Sequence, residues 1–281
     1  MPDTGIIGPT PWTAHSTLTR VSTAVRGRTV THLEAGHGYP VILLHGGGGT
    51  GKAFWYQLDG LSDHFRVLAP DLPGHGQSEW VPGVETVDDM GPWLLDWMTA
   101  LNIPRAVVGG NSMGGRVSAA AAIRAPERLS HLVMLDAVAV LIAGLAPKNP
   151  LDIPRDQYLK ELVYDPDHYR HTTPYRTLED AEALNRGRES FRRYLAASPI
   201  GPDRSGDLHR LTMPVLLIWG RHDRIVPVEY GRVLASRVPT AEFTVIETAG
   251  HLPHIETPGI VNHLLVDFLE RHPPAPPARE G

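Results

Sequence analysis

Three polar residues of this 281-residue chain have the types and order of a nucleophilic relay. Ser112 lies in Gly110-Asn111-Ser112-Met113-Gly114, a G-x-S-x-G stretch between a short apolar run and a longer amphipathic one. Small flanking residues permit a sharp strand-to-helix turn that exposes the hydroxyl. At a helix start, backbone N–H groups and the helix dipole favour negative charge. A serine needs a base to take its proton, and the base needs a group that fixes its tautomer. Asp223 in GRHD and His251 in AGH follow downstream, each just past a short apolar run. Such a trio attacks a carbonyl carbon and holds the resulting oxyanion on N–H donors.

Each signal is weak alone. A Gly-rich turn with a capping serine also produces G-x-S-x-G. With 15 histidines in the chain, any single one is more often a surface residue. His251 stands out by its late position, its strand end and the preceding Gly250. His254 is its nearest rival, and His222 a weaker one. Asp136, closing LVMLD, is the alternative acid, and Asp223 on its own also suits a turn or an N-cap.

A second glycine-rich stretch, VILLHGGGGTGKA at 41–53, is close to a P-loop. A P-loop ends in Lys followed by a hydroxyl that ligates magnesium. Ala53 supplies none, and a nucleotide site with Asp136 as its acid would leave Ser112, Asp223 and His251 without a role. Bare backbone that approaches an oxyanion is the better use of these glycines. Gly46 or Gly47 would offer one N–H, and Met113, next after the nucleophile, the other. Lys52 is then expected to face solvent.

The elements that must position these residues are legible as alternating runs. Val41–Leu44, Val67–Ala69, Ala106–Val108, Leu132–Leu135, Val215–Trp219 and Phe243–Ile246 are short, apolar and rich in β-branched residues. They predict strands buried on both faces, hence a mostly parallel sheet. Val87–Leu101, Met113–Arg124 and Glu229–Arg237 predict helices between them. The fold class is therefore α/β. Ligands of such sheets bind at the C-terminal strand ends, where His45, Asp71, Ser112, Asp136, Asp223 and His251 fall. The rhythm breaks between Val138 and Leu211, which has no strand-like run and two helical stretches, Arg155–Val163 and Leu178–Ala197. The expected organisation is a core of 20–137 and 211–273 and a helical cap of 138–210. An N-terminal segment (1–19) and a disordered proline-rich tail (274–281) are set apart.

Composition excludes several classes. A net charge of −5 without a basic block gives nucleic-acid binding no support. The absence of cysteine removes disulfides, thiolate metal sites and Cys nucleophiles. No apolar run reaches the roughly 18 residues of a membrane span, and the first residues lack a signal-peptide pattern. A cytoplasmic protein with no membrane partner is expected. Its partner would be a small carbonyl substrate, with no cofactor and no metal. Oligomeric state is open, a homo-oligomer included.

HGGGG, DLPGHGQS, GNSMGG, GRHDRIVP and AGH, in this order, resemble the α/β-hydrolase superfamily from about Arg20 to Arg271. HGGGG, GNSMGG and the cap stretches LVYDP and LNRGRES resemble, more narrowly, the meta-cleavage-product hydrolases, which break a carbon–carbon bond of a vinylogous diketo acid. That resemblance implies a cap arginine on the substrate carboxylate, with Arg188 the best match and Arg186 the second. Asn111 and Leu252, beside the nucleophile and the histidine, are further candidates for substrate binding. That family carries Trp directly after its catalytic histidine. Leu252 stands there in GHLPHIETP, as in esterase-type relatives, so ester and carbon–carbon cleavage both stay open. A ligand receptor on the same fold, with slow or no turnover, is the alternative from another class.

Overall fold

A computed structural model of the chain describes residues 18–197 and 203–274. Most of the N-terminal segment and the tail from residue 275 lie outside the described residues. Runs apolar on both faces have only one place to go, the middle of a layered sheet. They form β3 (Pro40–Leu44), β4 (Arg66–Pro70), β5 (Ala106–Asn111), β6 (Leu129–Leu135) and β7 (Val215–Gly220), while the half-buried β8 (Ala241–Ile246) takes the far edge. Every residue of β5, β6 and β7 is buried. With β1 (Thr19–Val25) and β2 (Arg28–Ala35) they make one eight-stranded sheet in the order β1-β2-β4-β3-β5-β6-β7-β8. Pairing is parallel from β4 through β8 and antiparallel for β1–β2 and β2–β4.

The β1–β2 hairpin is the main element absent from the run-by-run reading. TRVSTAV and RTVTHLEA contain no continuous apolar run: β1 is a largely exposed edge strand, and β2 buries the polar Thr31 and His32 between Val30 and Leu33. Val25 pairs with Arg28 across Arg26 and Gly27, both at positive φ (49° and 74°). Such a two-residue turn matches the strand twist.

Alternate strand residues point to opposite faces. Ile42, Leu44 and Val108 pack with α2 (Met90–Ala100), α3 (Met113–Arg124) and α7 (Val228–Arg237). Val41, Leu43 and Val107 pack with α1 (Trp55–Gly60) and α9 (Pro258–Arg271). The helix expected from Val87 begins three residues later. Thr86 and Glu85 spend their N–H groups on the Asp89 carboxylate, which closes a turn instead. Between β6 and β7 the described residues hold no strand. They hold α4 (Arg155–Leu162), α5 (Pro166–Thr172) and the 20-residue α6 (Leu178–Ala197). A short α8 (Pro253–Glu256) follows β8. The ends of β3, β5, β6, β7 and β8 lie along one edge of the sheet, with α6 lying over the β3 end.

Candidate active site

Ser112 joins β5 to α3 with φ 53° and ψ −114°, a conformation a side chain adopts only when its surroundings impose it. The cause is crowding. A Cβ on Gly110 would stand 2.4 Å from the Gly114 carbonyl carbon, and one on Gly114 would stand 2.0 Å from the Leu44 oxygen. The chain thus reverses within a space only glycines fit, and the serine between them is pushed out at the N-terminus of α3.

His251 Nδ1 lies 2.8 Å from Asp223 Oδ2, and both residues are buried. The other Asp223 oxygen accepts the N–H groups of Ile225 (2.8 Å) and Val226 (2.9 Å), which aims the carboxylate. The imidazole is held from behind as well. The His251 N–H donates to the Leu162 carbonyl, and its carbonyl accepts from Asn111 Nδ2 at 2.9 Å. The buried Glu256 carboxylate gathers the N–H groups of Gly250, Leu252 and Tyr164. Burial raises its pKa against the pull of those N–H bonds. The histidine loop is therefore clamped both to the sheet edge and to the α4–α5 connection.

Asp136, the alternative acid, is in the same cluster. It is fully buried at φ 47°, and its Oδ1 accepts the Gly220 N–H at 2.9 Å. Burial first, and the neighbouring Asp223 charge second, push its pKa well above the carboxylate range. A carboxyl in this position resists ionisation more than an exposed one. Asp136, Asp223 and His251 each bring a ligand atom within 4.8 Å of the others. Asp223 Oδ2 and His251 Nδ1 of this cluster hold each other at 2.8 Å.

The glycine loop is braced by His45. Its Nε2 accepts the Leu72 N–H at 3.0 Å, so Nδ1 carries the proton and donates to the Gly46 carbonyl at 2.8 Å. Burial lowers the His45 pKa to about 4, which keeps that tautomer neutral. Asp71 ties the loop to the β4 end, accepting from Gly51 N–H at 2.8 Å and Gln77 N–H at 2.9 Å. A Cβ on Gly46 would come 3.4 Å from the Ser112 Cβ, and one on Gly47 would meet the Phe191 ring of α6 at 2.5 Å. Among the described residues, the N–H groups of Gly46, Gly47 and Met113 donate to no protein acceptor. Lys52 does not face solvent as expected. It is 24% exposed, and its Nζ lies 2.8 and 2.9 Å from the Asp180 oxygens, latching the loop to α6.

A cavity of about 530 Å³ opens on Ser112 and Met113, walled by Val138, Phe191, Leu195 and Ile225. Four residues expected at the substrate are not among those that line this cavity. Arg188 stacks its guanidinium 4.9 Å from the Tyr158 ring, beside Gly48. Arg186 is exposed and donates to the Gly76 carbonyl. Asn111 is a brace for His251, and Leu252 packs against the core on the α1–α9 face. The arginines that do line the cavity are Arg116 and Arg192. Arg116 was legible in principle: four residues after Ser112, it shares that face of the helix.

His254, the rival base, is fully buried and stacked on Phe54 at 4.6 Å, with no hydrogen-bond partner for either ring nitrogen among the described residues. Burial first, and His251 second, lower its pKa to about 3. The folded protein therefore keeps this ring neutral while the unfolded chain protonates near 6.5. The associated stability is present above pH 6.5 and is lost as pH falls below it, by about 2 kcal/mol at pH 5. Buried His45 and His75 act in the same direction. His254→Phe should gain on the parent by about that amount between pH 7.5 and 5. Urea unfolding at both pH values checks it, and a constant difference between the two proteins would contradict it.

The profile of the alpha/beta hydrolase family matches residues 41–264. The chain belongs to that family. This hydrolase is 32% identical, over 82% of its own length and 86% of the relative's, to a 2-hydroxy-6-oxononadienedioate/2-hydroxy-6-oxononatrienedioate hydrolase of Paraburkholderia phymatum. Its fold is similar to that of a meta-cleavage product hydrolase from Pseudomonas fluorescens crystallised with acetates. The TM-score is 0.73 at 25% identity, covering 89% of this chain and 97% of that one. It is equally similar to a thermophilic esterase from Thermogutta terrifontis, with a TM-score of 0.72 at 27% identity over 90% and 99% of the two chains. The hydrolase is thus an enzyme with both carbon–carbon bond hydrolases and esterases among its relatives. Among its described residues no helix is long and apolar enough to cross a membrane.

Proposed function

We propose that this hydrolase cleaves a carbonyl substrate through a Ser112–His251–Asp223 triad, with 138–210 as the cap over the site. The observation that carries the reading is the 2.8 Å His251–Asp223 contact, on the same sheet edge as a serine held at positive φ at a helix N-terminus. His251 Nε2 takes the Ser112 proton as Oγ bonds to the carbonyl carbon. Asp223 keeps the other ring proton on Nδ1 and stabilises the imidazolium. The oxyanion is received by the N–H groups of Met113 and of Gly46 or Gly47, each donor contributing roughly 2.7–4 kcal/mol. The imidazolium then protonates the departing alcohol, or the departing carbon of an enolate-type fragment, as the bond to the acyl carbon breaks. Water, deprotonated by His251, releases the acid from Ser112.

The preferred substrate class is a 2-hydroxy-6-oxo-dienoate, as for the Paraburkholderia phymatum relative, with esters turned over by the same apparatus. An apolar cavity beside Ser112 suits both. The test is a pair of colour assays. Loss of the yellow dienolate, faster than release of p-nitrophenol from short esters, supports the carbon–carbon branch. The reverse order assigns the protein to the esterases. Consumption of one equivalent per chain and no more, with either substrate, would replace the enzyme reading by a receptor.

A further inference from the structure

The main-chain N–H groups around the proposed base do not bond to the sheet. The His251 N–H donates to the Leu162 carbonyl at 2.8 Å. The Gly250 N–H donates to Glu256 Oε1 and Oε2 at 3.0 and 3.1 Å, and the Leu252 N–H to Oε1 at 3.1 Å. Oε2 also accepts the Tyr164 N–H at 2.6 Å. One carboxylate, 4% exposed, thus joins both neighbours of His251 to the segment that follows α4. That segment lies close against the loop. A Cβ on Gly250 would stand 2.8 Å from the Val163 Cα and from the Tyr164 nitrogen. His168 Nε2 of α5 donates to the Glu256 carbonyl at 3.2 Å. The sheet edge holds the His251 ring through Asp223 and the His251 carbonyl through Asn111. An amide in place of Glu256 has one oxygen. It could keep the Gly250 and Leu252 N–H groups or the Tyr164 N–H, and its NH₂ would confront the other side. Joining the two sides therefore requires the carboxylate.

We propose that Glu256 is a positioning residue, one that places His251 for the reaction only while residues 162–164 are docked on its loop. This rests on the reading of His251 as the base. The ring is then aimed by the sheet edge, and its main chain by the segment between β6 and β7, through Glu256. Displacement of 162–164 would take one donor from the buried Glu256 carboxylate and the acceptor from the His251 N–H. Both losses are costly in a dry site, so the loop rearranges and the imidazole loses its fixed direction while the sheet stays intact. A misplacement of about 1 Å is enough to cost about 10²-fold in rate. A purely structural tie would lower stability and leave kcat of the folded protein unchanged.

Glu256→Gln provides the test. With the better substrate of the two colour assays, kcat should fall by about 10- to 100-fold while KM stays within about threefold of the parent. A urea titration under assay conditions establishes that the variant is folded. In proton NMR the downfield signal of the His251 Nδ1–H on Asp223 should shift and broaden, because the ring moves against its partner. An unchanged kcat in the folded variant, or an unmoved signal, overturns the proposal. Should Glu256→Gln fail to fold, acid titration of the parent decides. Protonation of Glu256 removes an acceptor, and burial raises the pH at which this happens. Asp136 and His251 from the sheet edge and Tyr169 from α5 are the titratable side chains its charge acts on, with His168 at its carbonyl. The Gly250, Leu252 and Tyr164 amide signals should move together through one midpoint above the usual glutamate range. Separate midpoints overturn the coupling. If Ser112→Ala keeps its turnover, the triad reading fails, while the NMR comparison still tests the link from Glu256 to His251.

Discussion

Ser112→Ala should lower kcat by about 10⁵- to 10⁶-fold and leave the unfolding transition within about 0.5 kcal/mol of the parent. The two effects separate because of where strain and chemistry reside. The positive φ at this position is imposed by Gly110 and Gly114, whose α-carbons face atoms too close for any Cβ. Alanine meets the same backbone cost as serine, and the turn does not depend on the hydroxyl, which caps no N–H of α3. Activity, by contrast, has no second nucleophile. The N–H groups of Met113 and of the glycine loop would remain in place, so binding of a carbonyl compound should persist. Steady-state kinetics with the better substrate, beside a urea titration, measures both. Retention of turnover in the alanine variant would remove Ser112 from the reaction, and loss of the folded state would make it a structural residue.

Asp223→Asn is expected to lower kcat by about 10⁴-fold. The Asp223 carboxylate accepts from Ile225 and Val226 through one oxygen and from His251 through the other. An asparagine keeps the first set with its oxygen and turns its NH₂ to the imidazole. Nδ1 must then accept, Nε2 carries the proton, and the ring can no longer take one from Ser112. The neighbour decides what activity is left. Burial and the Asp223 charge both raise the Asp136 pKa. Removing that charge removes the second of these causes, so Asp136 should ionise at lower pH in the variant than in the parent. A carboxylate then stands in the cluster with His251. Residual activity of Asp223→Asn should therefore rise with pH, and Asp136→Asn added to it should remove that rise. A flat profile, the same in single and double variants, would show that Asp136 lends nothing to the histidine.

Strands β3 to β7 were legible because strands covered on both faces need continuous apolar sequence, which no loop retains. The serine, aspartate and histidine were legible for a related reason. In a parallel sheet each functional residue follows directly on a strand, so sequence adjacency stands in for position. The β1–β2 hairpin escaped because β1 is an exposed edge and β2 places the polar Thr31 and His32 among its buried residues. Asp136 read as an alternative acid, but only packing shows it as the neighbour of Asp223 with the raised pKa.

The wall of the cavity was another matter. Arg186, Arg188, Arg192 and Arg193 crowd one helix, and nothing in their spacing says which faces inward. The seat of α6 on Gly48 and Gly49, through Gly187, sets that rotation and turns Arg188 to Tyr158. Lys52 likewise had no visible partner until Asp180, 128 residues away, came within 2.8 Å. Sequence by itself determined the layered α/β sheet, the strand-end positions of Ser112, Asp223 and His251 and the turn that holds Ser112. These depend on local backbone geometry and on burial patterns of a few residues. Tertiary structure alone decided which carboxyl has the raised pKa and which arginines meet the cavity. Those outcomes depend on desolvation and on contacts between segments far apart in the chain.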